Sequence, residues 1–471
     1  MNLKHKNIEE TYQGIRHIPQ APREKGLSLL KWMGPGVVCS ALVVGSGELI
    51  LCSYAGAKVG GSLAWVIIPA IFFKFWLQYE TARYQILTGE TPMYQLKRIH
   101  SSWAWLFSLI GFVAFIFPGN FISAGTTLYW LTSVGNYVIW TIFCYFLCIL
   151  ILSFPGKTPA KMVEYMFWFT SSIMFIMTIL SLAFVIKLSD LVEMGRGMVN
   201  ITFPAELGAF WILSLMGRGI GGPHMTTLSF NYYIREKGYG MNKYAGTIST
   251  PWKNSNKVIT KGWWPDTSSE DIKNYQRWMR IMTYGAVFLG AGLTFAMVFM
   301  YMLIGSAILR PLGLIPSGIK IALVQGELFA KVIGPIGYII WIILATLNLF
   351  DTGTGIVDNT SRIVADTFVS TSSRAEKYGL SKLYWWLVAI IVTGGIALIW
   401  SGEPLWIIAV TGVLGGAFWY SIHLILLLYW NHKYLPKPYK PGLVSIIGCI
   451  LAIIFFFIFT IGTILNYFGI W

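Results

Sequence analysis

Apolar stretches of 18 or more residues recur along the whole of this 471-residue chain. Each is long enough to cross a hydrocarbon layer roughly 30 Å thick. Lipid offers no hydrogen bonds, so a crossing segment must pair its backbone within a helix or within a closed barrel. Barrel strands need only about 10 residues, so the longer stretches predict helices. Eleven are predicted, near residues 29–57, 62–88, 102–132, 137–155, 162–186, 207–234, 280–309, 332–361, 383–401, 405–430 and 443–468. Charged residues are only 12% of the chain and hydrophobic ones 55%, with a mean hydropathy of +0.62. A soluble domain carries about 25% charged residues. There is too little polar side chain to coat a water-soluble globule, which excludes an ordinary soluble enzyme, a disordered chain and a collagen-like fibre. The fold class is an all-α polytopic membrane protein.

Lys and Arg residues set the orientation, because connections that stay in the cytoplasm are rich in them. Residues 1–28 form a polar tail with Lys4, Lys6, Arg16, Arg23 and Lys25, and basic residues return after the second, fourth, sixth, eighth and tenth spans. The connection at 235–279, expected to be a cytoplasmic loop, holds Arg235, Lys237, Lys243, Lys253, Lys257, Lys261, Lys273 and Arg277. With eleven spans the N-terminus is cytoplasmic and the C-terminus external. The tail has no short apolar core before a small-residue cleavage site, so the first span itself is expected to direct insertion, as suits a bacterial inner membrane. The formal charge of +15, from 35 basic and 20 acidic residues, lies beside membrane spans. Orientation and anionic lipid account for it, and no nucleic-acid partner is expected. No phosphate-binding loop follows a strand and no catalytic triad spacing stands out, so neither an enzyme nor a bound cofactor is predicted. Cys39, Cys52, Cys144, Cys148 and Cys449 lie in or beside apolar stretches. Cys144 and Cys148, four apart on one helix, read as buried thiols in preference to a metal pair.

Two spans are interrupted by glycine. In the first, Gly34-Pro35-Gly36 opens the helix and Gly45-Ser46-Gly47-Glu48 falls halfway along it. In the sixth, Met216-Gly217-Arg218-Gly219-Ile220-Gly221-Gly222-Pro223-His224 does the same. Proline lacks an amide donor and clustered glycine has poor helix propensity, so both stretches should unwind. Unwound backbone in a bilayer is tolerated where it lines a cavity or a ligand site. Close helix packing is the competing explanation for glycine here, but each break also carries an ionisable residue, which is costly at that depth. The breaks are five spans apart. That spacing fits two five-helix halves of inverted topology, 29–186 and 207–430, followed by an extra helix at 443–468, with a substrate site between the breaks.

At these residues the chain resembles the NRAMP family of divalent-metal transporters, which have the LeuT-type inverted-repeat fold. The likeness runs through Gly34-Pro35-Gly36, Ala55-Gly56-Ala57-Lys58-Val59-Gly60, Leu63-Ala64-Trp65, Leu77-Gln78-Tyr79-Glu80-Thr81-Ala82-Arg83, Leu87-Thr88-Gly89 and Pro223-His224. The resemblance implies a divalent cation moved by alternating access. The family's first-span motif is Asp-Pro-Gly-Asn, where this chain has Gly45-Ser46-Gly47-Glu48, so the ligand Asp is missing and a carboxylate stands at the Asn position. The family's Ala-x-x-Met-Pro-His becomes Gly219-Ile220-Gly221-Gly222-Pro223-His224, without the soft thioether. Acidic residues that the family uses near its proton route are replaced by Gly119 and Ile122 in the third span.

The candidate substrate site is therefore Gly45, Ser46, Glu48, Arg218, Gly219, Gly222, His224 and Asp351, with Glu48 and Ser46 as metal ligands. Glu48 either ligates a cation or pairs with Arg218, which would otherwise clamp a carboxylate. His224 either lines the pathway or is a satisfied buried histidine. In the eighth span Asn348, Asp351, Thr352, Thr354, Asp358, Asn359 and Arg362 form a polar series. Asp351 is expected in a conduit, and Asp358 paired with Arg362 at the helix end. Lys74, Glu80 and Arg83 read as an inner-end charge cluster. The expected cargo is a harder dication such as magnesium or manganese. A small organic or zwitterionic solute is the alternative, and a non-transporting receptor or scaffold is the alternative of another class.

Overall fold

The computed structural model describes residues 11–43, 47–116, 119–220, 222, 224–252, 258–315, 320–401 and 416–468. In its first half the helices are α1 (Gly34–Val43), α2 (Ser53–Val59), α3 (Ile67–Thr88), α4 (Pro92–Ile99), α5 (Ser101–Phe115), α6 (Gly119–Thr132), α7 (Tyr137–Leu152) and α8 (Pro159–Val185), and α9 (Leu188–Val199) follows. The second half contains α10 (Gly208–Ser214), α11 (His224–Lys237), α12 (Ser269–Tyr284), α13 (Gly292–Ile304), α14 (Lys320–Ile333), α15 (Pro335–Thr371), α16 (Ser373–Tyr378), α17 (Leu380–Ala397) and α18 (Ala417–Tyr434), and α19 (Leu443–Tyr467) closes the chain. Among the described residues six helical stretches are long and apolar enough to cross a membrane. The start of the predicted tenth span, 405–415, lies outside the described residues.

Helix ends follow local chemistry. Thr91 caps α4 by accepting from the Tyr94 amide, with Pro92 in the first turn where no donor is needed. Asn136 accepts from the Ile139 amide at the start of α7. The seventh span begins at Ser269, inside the stretch expected to be loop. Ser268 caps it, Glu270 and Asp271 complement its positive end, and Tyr275, Trp278, Met279 and Met282 bury one face. That amphipathic turn is invisible to a hydropathy window. For the same reason α15 extends past residue 361 to Thr371, carrying buried Asp358, Asn359, Arg362 and Asp366.

The most apolar window of α15 is 78% buried and that of α19 only 33%, which makes α15 the central post and α19 a peripheral helix. α1, α5, α6, α8, α11 and α17 all pack on α15. The outer face is apolar: Ile139, Phe143, Phe146 and Leu150 on α7 and Ile447, Ile454, Ile458 and Ile461 on α19 are exposed, as lipid contact requires. Since lipid is as apolar as leucine, small residues and polar contacts must hold the helices together. Gly56 on α2 abuts the Met302 carbonyl and Gly305 abuts the Ser53 carbonyl, so these backbones meet with no room for a Cβ.

The tail is docked from residue 12 onward. Ile15–Arg16 (β1) pairs in parallel with Trp264–Pro265 (β2), Tyr12, Ile18 and Ala21 are buried, and Trp278 donates its indole N–H to the Pro19 carbonyl at 2.9 Å.

Candidate functional site

At both glycine-rich stretches the described residues depart from α-helical winding. Residues Gly47–Cys52 and Leu215–Ile220 are π-helical, a form found mainly as short insertions at functional positions. The two π turns pack against each other. Glu48 lies in the first turn of the first of them and is fully buried. Gly45 and Ser46 lie outside the described residues, as does the side chain of Arg218. Gly219 contributes backbone to the second π turn.

Gly222 has φ +68°, and a Cβ there would meet Thr226 and Val43. Left-handed backbone favours glycine, so a side chain at position 222, where the family carries Met, would be strained and crowd Thr226 and Val43 in this conformation. His224 opens α11 fully buried, and its Nε2 is 2.6 Å from Nδ1 of His423 on α18. One ring must donate and the other accept. Phe107 stacks obliquely on both rings, 4.7 and 5.1 Å between centroids. His423 was not singled out from the sequence, although a lone histidine in an apolar span was the available signal.

Asp351 is buried on α15 against α1 and α8. Thr170 reaches its Oδ2, and the Thr352 hydroxyl lies 3.2 Å from its Oδ1 and 3.2 Å from the Ala41 carbonyl. Among the described residues no cationic side chain pairs with it. Tyr301 is within electrostatic range of both Glu48 and Asp351, and accepts from Asn348 Nδ2 at 3.2 Å. Thr170 and Tyr301 carried no sequence signal, since a single hydroxyl in an apolar stretch is commonplace.

The remaining charges form clasps. Arg362 is paired with Asp358 at 2.7 Å, the expected partner, though buried inside α15 and not at its end, and also with Glu236 of α11 at 2.6 Å. Tyr233 and Tyr384 donate to the same Asp358 carboxylate, each at 2.7 Å, so α11, α15 and α17 are joined. Glu80 and Arg83 are bonded at 3.0 Å, with Asn431, Ser445 and Tyr275 completing the group. Lys74 is buried but takes no part in it. A cavity of about 450 Å³ opens beside Lys31, Lys161, Glu164, Tyr233 and Glu236, on the Lys- and Arg-rich side. On the tail, His17, Asp266 and Asp271 bring ligand atoms within 4.8 Å of one another. Asp271 is already engaged there by the Ile18 amide, Ser268 and His17. Its bond to His17 and its charge raise the imidazole above the ordinary histidine range.

The first and sixth spans, each carrying a π turn, face each other beside a central eighth span, the arrangement of the LeuT-type fold. No family profile and no characterised sequence matches the chain. Among solved structures it is similar to a manganese transporter from Eremococcus coleocola, with TM-scores of 0.65–0.68 and 13–14% identity, covering 96% of this chain and 90% of that one. MhsT, solved in complex with L-phenylalanine, matches with a TM-score of 0.58 and 13% identity over 97% of this chain and 100% of that one.

Proposed function

We propose that this protein is a secondary transporter that moves a hard divalent cation, magnesium or manganese, by alternating access around its two interrupted spans. The observation that carries the reading is the contact between the π turns Gly47–Cys52 and Leu215–Ile220, with the Glu48 carboxylate buried in the first of them. Discontinuous helices in matching halves supply free backbone groups for a substrate, and a buried carboxylate selects a cation. Ser46 and the carbonyls around Gly45 and Gly219 are the further oxygen donors of this proposal. The glycine conformation at 222 withholds a soft thioether, so oxygen-loving ions are favoured over softer metals. The fold shared with a manganese transporter supports the same reading. Proposed with it are a cytoplasmic N-terminus, an external C-terminus and a bacterial inner membrane.

A second reading, a small organic or zwitterionic solute, is favoured by Arg218 in the second break, because a Glu48–Arg218 pair would cancel the charge that attracts a dication. Uptake into proteoliposomes, with a panel of divalent ions, amino acids and sugars, separates them. Saturable metal uptake that Glu48→Gln abolishes is the expected result. Uptake of an organic compound without metal flux transfers the assignment, and no uptake under any gradient favours a receptor or scaffold.

A further inference from the structure

A cavity of about 750 Å³ lies on the Lys- and Arg-rich side, apart from the two π turns. Its size falls within the ~300–1,000 Å³ of ligand sites. It forms where segments distant in sequence meet: the docked tail at Gln13, the connection at 258–261, the end of α15 at Val369, and α16 with the first turn of α17. Gly379, with φ +84°, turns the chain between α16 and α17, so that Lys377 and Lys382 both line this one cavity. Lys261 joins them, and the one acidic side chain among the described lining residues is Glu376. Three cations against one carboxylate leave the cavity positive. Lys97 of α4 lies within electrostatic range of Lys261 and Glu376 and adds to the excess. Among the described residues neither Lys377 nor Lys382 is held in an ion pair. Thr260, Ser373 and Ser381 bring hydroxyl donors to the same lining. Such a cavity suits an anion that accepts several hydrogen bonds, as a phosphate does.

What continues from Lys382 sets the kind of anion. Lys382, Trp386 and Ile390 follow one another at i, i+4 spacing on α17, about 6 Å apart along its axis. All three are exposed, Trp386 to 69% and Ile390 to 48%. From the cavity into the span the row therefore reads ammonium, indole, aliphatic chain, the order of headgroup, interface and hydrocarbon in a bilayer. We propose that this cavity holds the headgroup phosphate of an anionic phospholipid, whose acyl chains lie along the Lys382–Trp386–Ile390 row of α17. A soluble anion would use the lysines and leave the row bare, whereas a phospholipid covers both. A zwitterionic headgroup would bring its own ammonium among the lysines, so the positive excess selects a lipid of net negative charge. The bound headgroup would touch the tail, the connection after the sixth span and the end of α15 together, and so fasten the tail to the central helix. The site rests on the membrane-spanning fold and is independent of what Glu48 binds.

The test is native mass spectrometry of the delipidated full-length protein in detergent, titrated with dioleoylphosphatidylglycerol or dioleoylphosphatidylcholine. One phosphatidylglycerol is expected to bind roughly tenfold or more tightly than phosphatidylcholine, and to stay bound in excess glycerol phosphate. A lysine near an anionic headgroup is worth about fivefold in affinity, so Lys377→Gln/Lys382→Gln should remove most of the preference. Trp386→Ala should weaken both lipids and keep the preference. Lys433→Gln/Lys437→Gln removes the same charge from the connection after the tenth span and should leave the preference intact. All four lysines are exposed, so neither double change should prevent folding. Equal affinity for the two lipids overturns the proposal, as does an undiminished preference in Lys377→Gln/Lys382→Gln. An equal loss in the two double variants overturns it in favour of diffuse surface charge, and displacement by glycerol phosphate in favour of a soluble phosphate ester. Because binding in detergent needs no transport, a failure of metal uptake in liposomes leaves this result standing, and the reverse also holds.

Discussion

Nε2 of His224 and Nδ1 of His423 are 2.6 Å apart, joining the first turn after the second break to α18 through two fully buried rings. The pair makes α11, half of a discontinuous span, continuous in hydrogen bonding with a helix of unbroken geometry. Replacing His423 by Leu leaves His224 without this partner, and burying one unsatisfied polar group costs about 1–3 kcal/mol. His423→Leu is expected to lower the thermal midpoint followed by tryptophan fluorescence, and His423→Gln, which can still bond, to recover much of the loss. Equal midpoints for the two variants would show the contact to be without consequence.

Arg362 serves Asp358 and Glu236 at once and is 1% exposed. Removing it strands two buried carboxylates, a loss of about 3–5 kcal/mol for a pair of this kind. Arg362→Met should therefore be more destabilising than the double change Arg362→Met/Asp358→Asn, which removes one stranded charge. Arg362→Lys should not restore stability, because an ammonium lacks the planar fork that spans both partners. A double-mutant cycle on thermal midpoints measures the coupling.

The contact of α2 with α13 and the turn after it depends on the absence of side chains. Gly56→Ala and Gly305→Ala each drive a methyl into a backbone carbonyl, with overpacking worth about 1–3 kcal/mol. Gly195→Ala, on α9 where a Cβ meets nothing within 4 Å, should be neutral or slightly stabilising. Yields of monodisperse protein and thermal midpoints of the three variants check the ordering.

The docked tail should respond to pH through His17, which faces Asp271, Asp266 and Glu270. Its folded-state pKa lies above the ordinary value, so the folded state favours the protonated ring. The stabilisation is then complete below the ordinary histidine range near 6.5 and is lost as pH rises through the higher folded value. Hydrogen exchange of residues 15–21, corrected for the intrinsic pH dependence, should be slower at pH 5.5 than at pH 8.5. His17→Gln should remove that difference; a difference that persists would assign it to another group.

The class of fold was written in one dimension. Apolar length alone requires helices in lipid, and proline and clustered glycine alone predict irregular winding where the described residues form the π turns Gly47–Cys52 and Leu215–Ile220, since both act through a residue's own backbone. The Asp358–Arg362 pair was legible for a similar reason, being four apart on one helix. What the chain order could not convey is which distant helices meet. His423 stands 199 positions from His224, Thr170 stands 181 from Asp351, and Glu236 stands 126 from Arg362. The start of α12 was equally hidden, because its buried face forms against residues distant in the chain, among them Ile18 and Ala21 of the docked tail, Tyr239 and Tyr439. Hydropathy registers whether a residue can enter lipid, which is a property of its own side chain. Which polar groups share a cavity there is a property of packing, decided by where glycine lets two helices approach and where a carboxylate finds its hydroxyls.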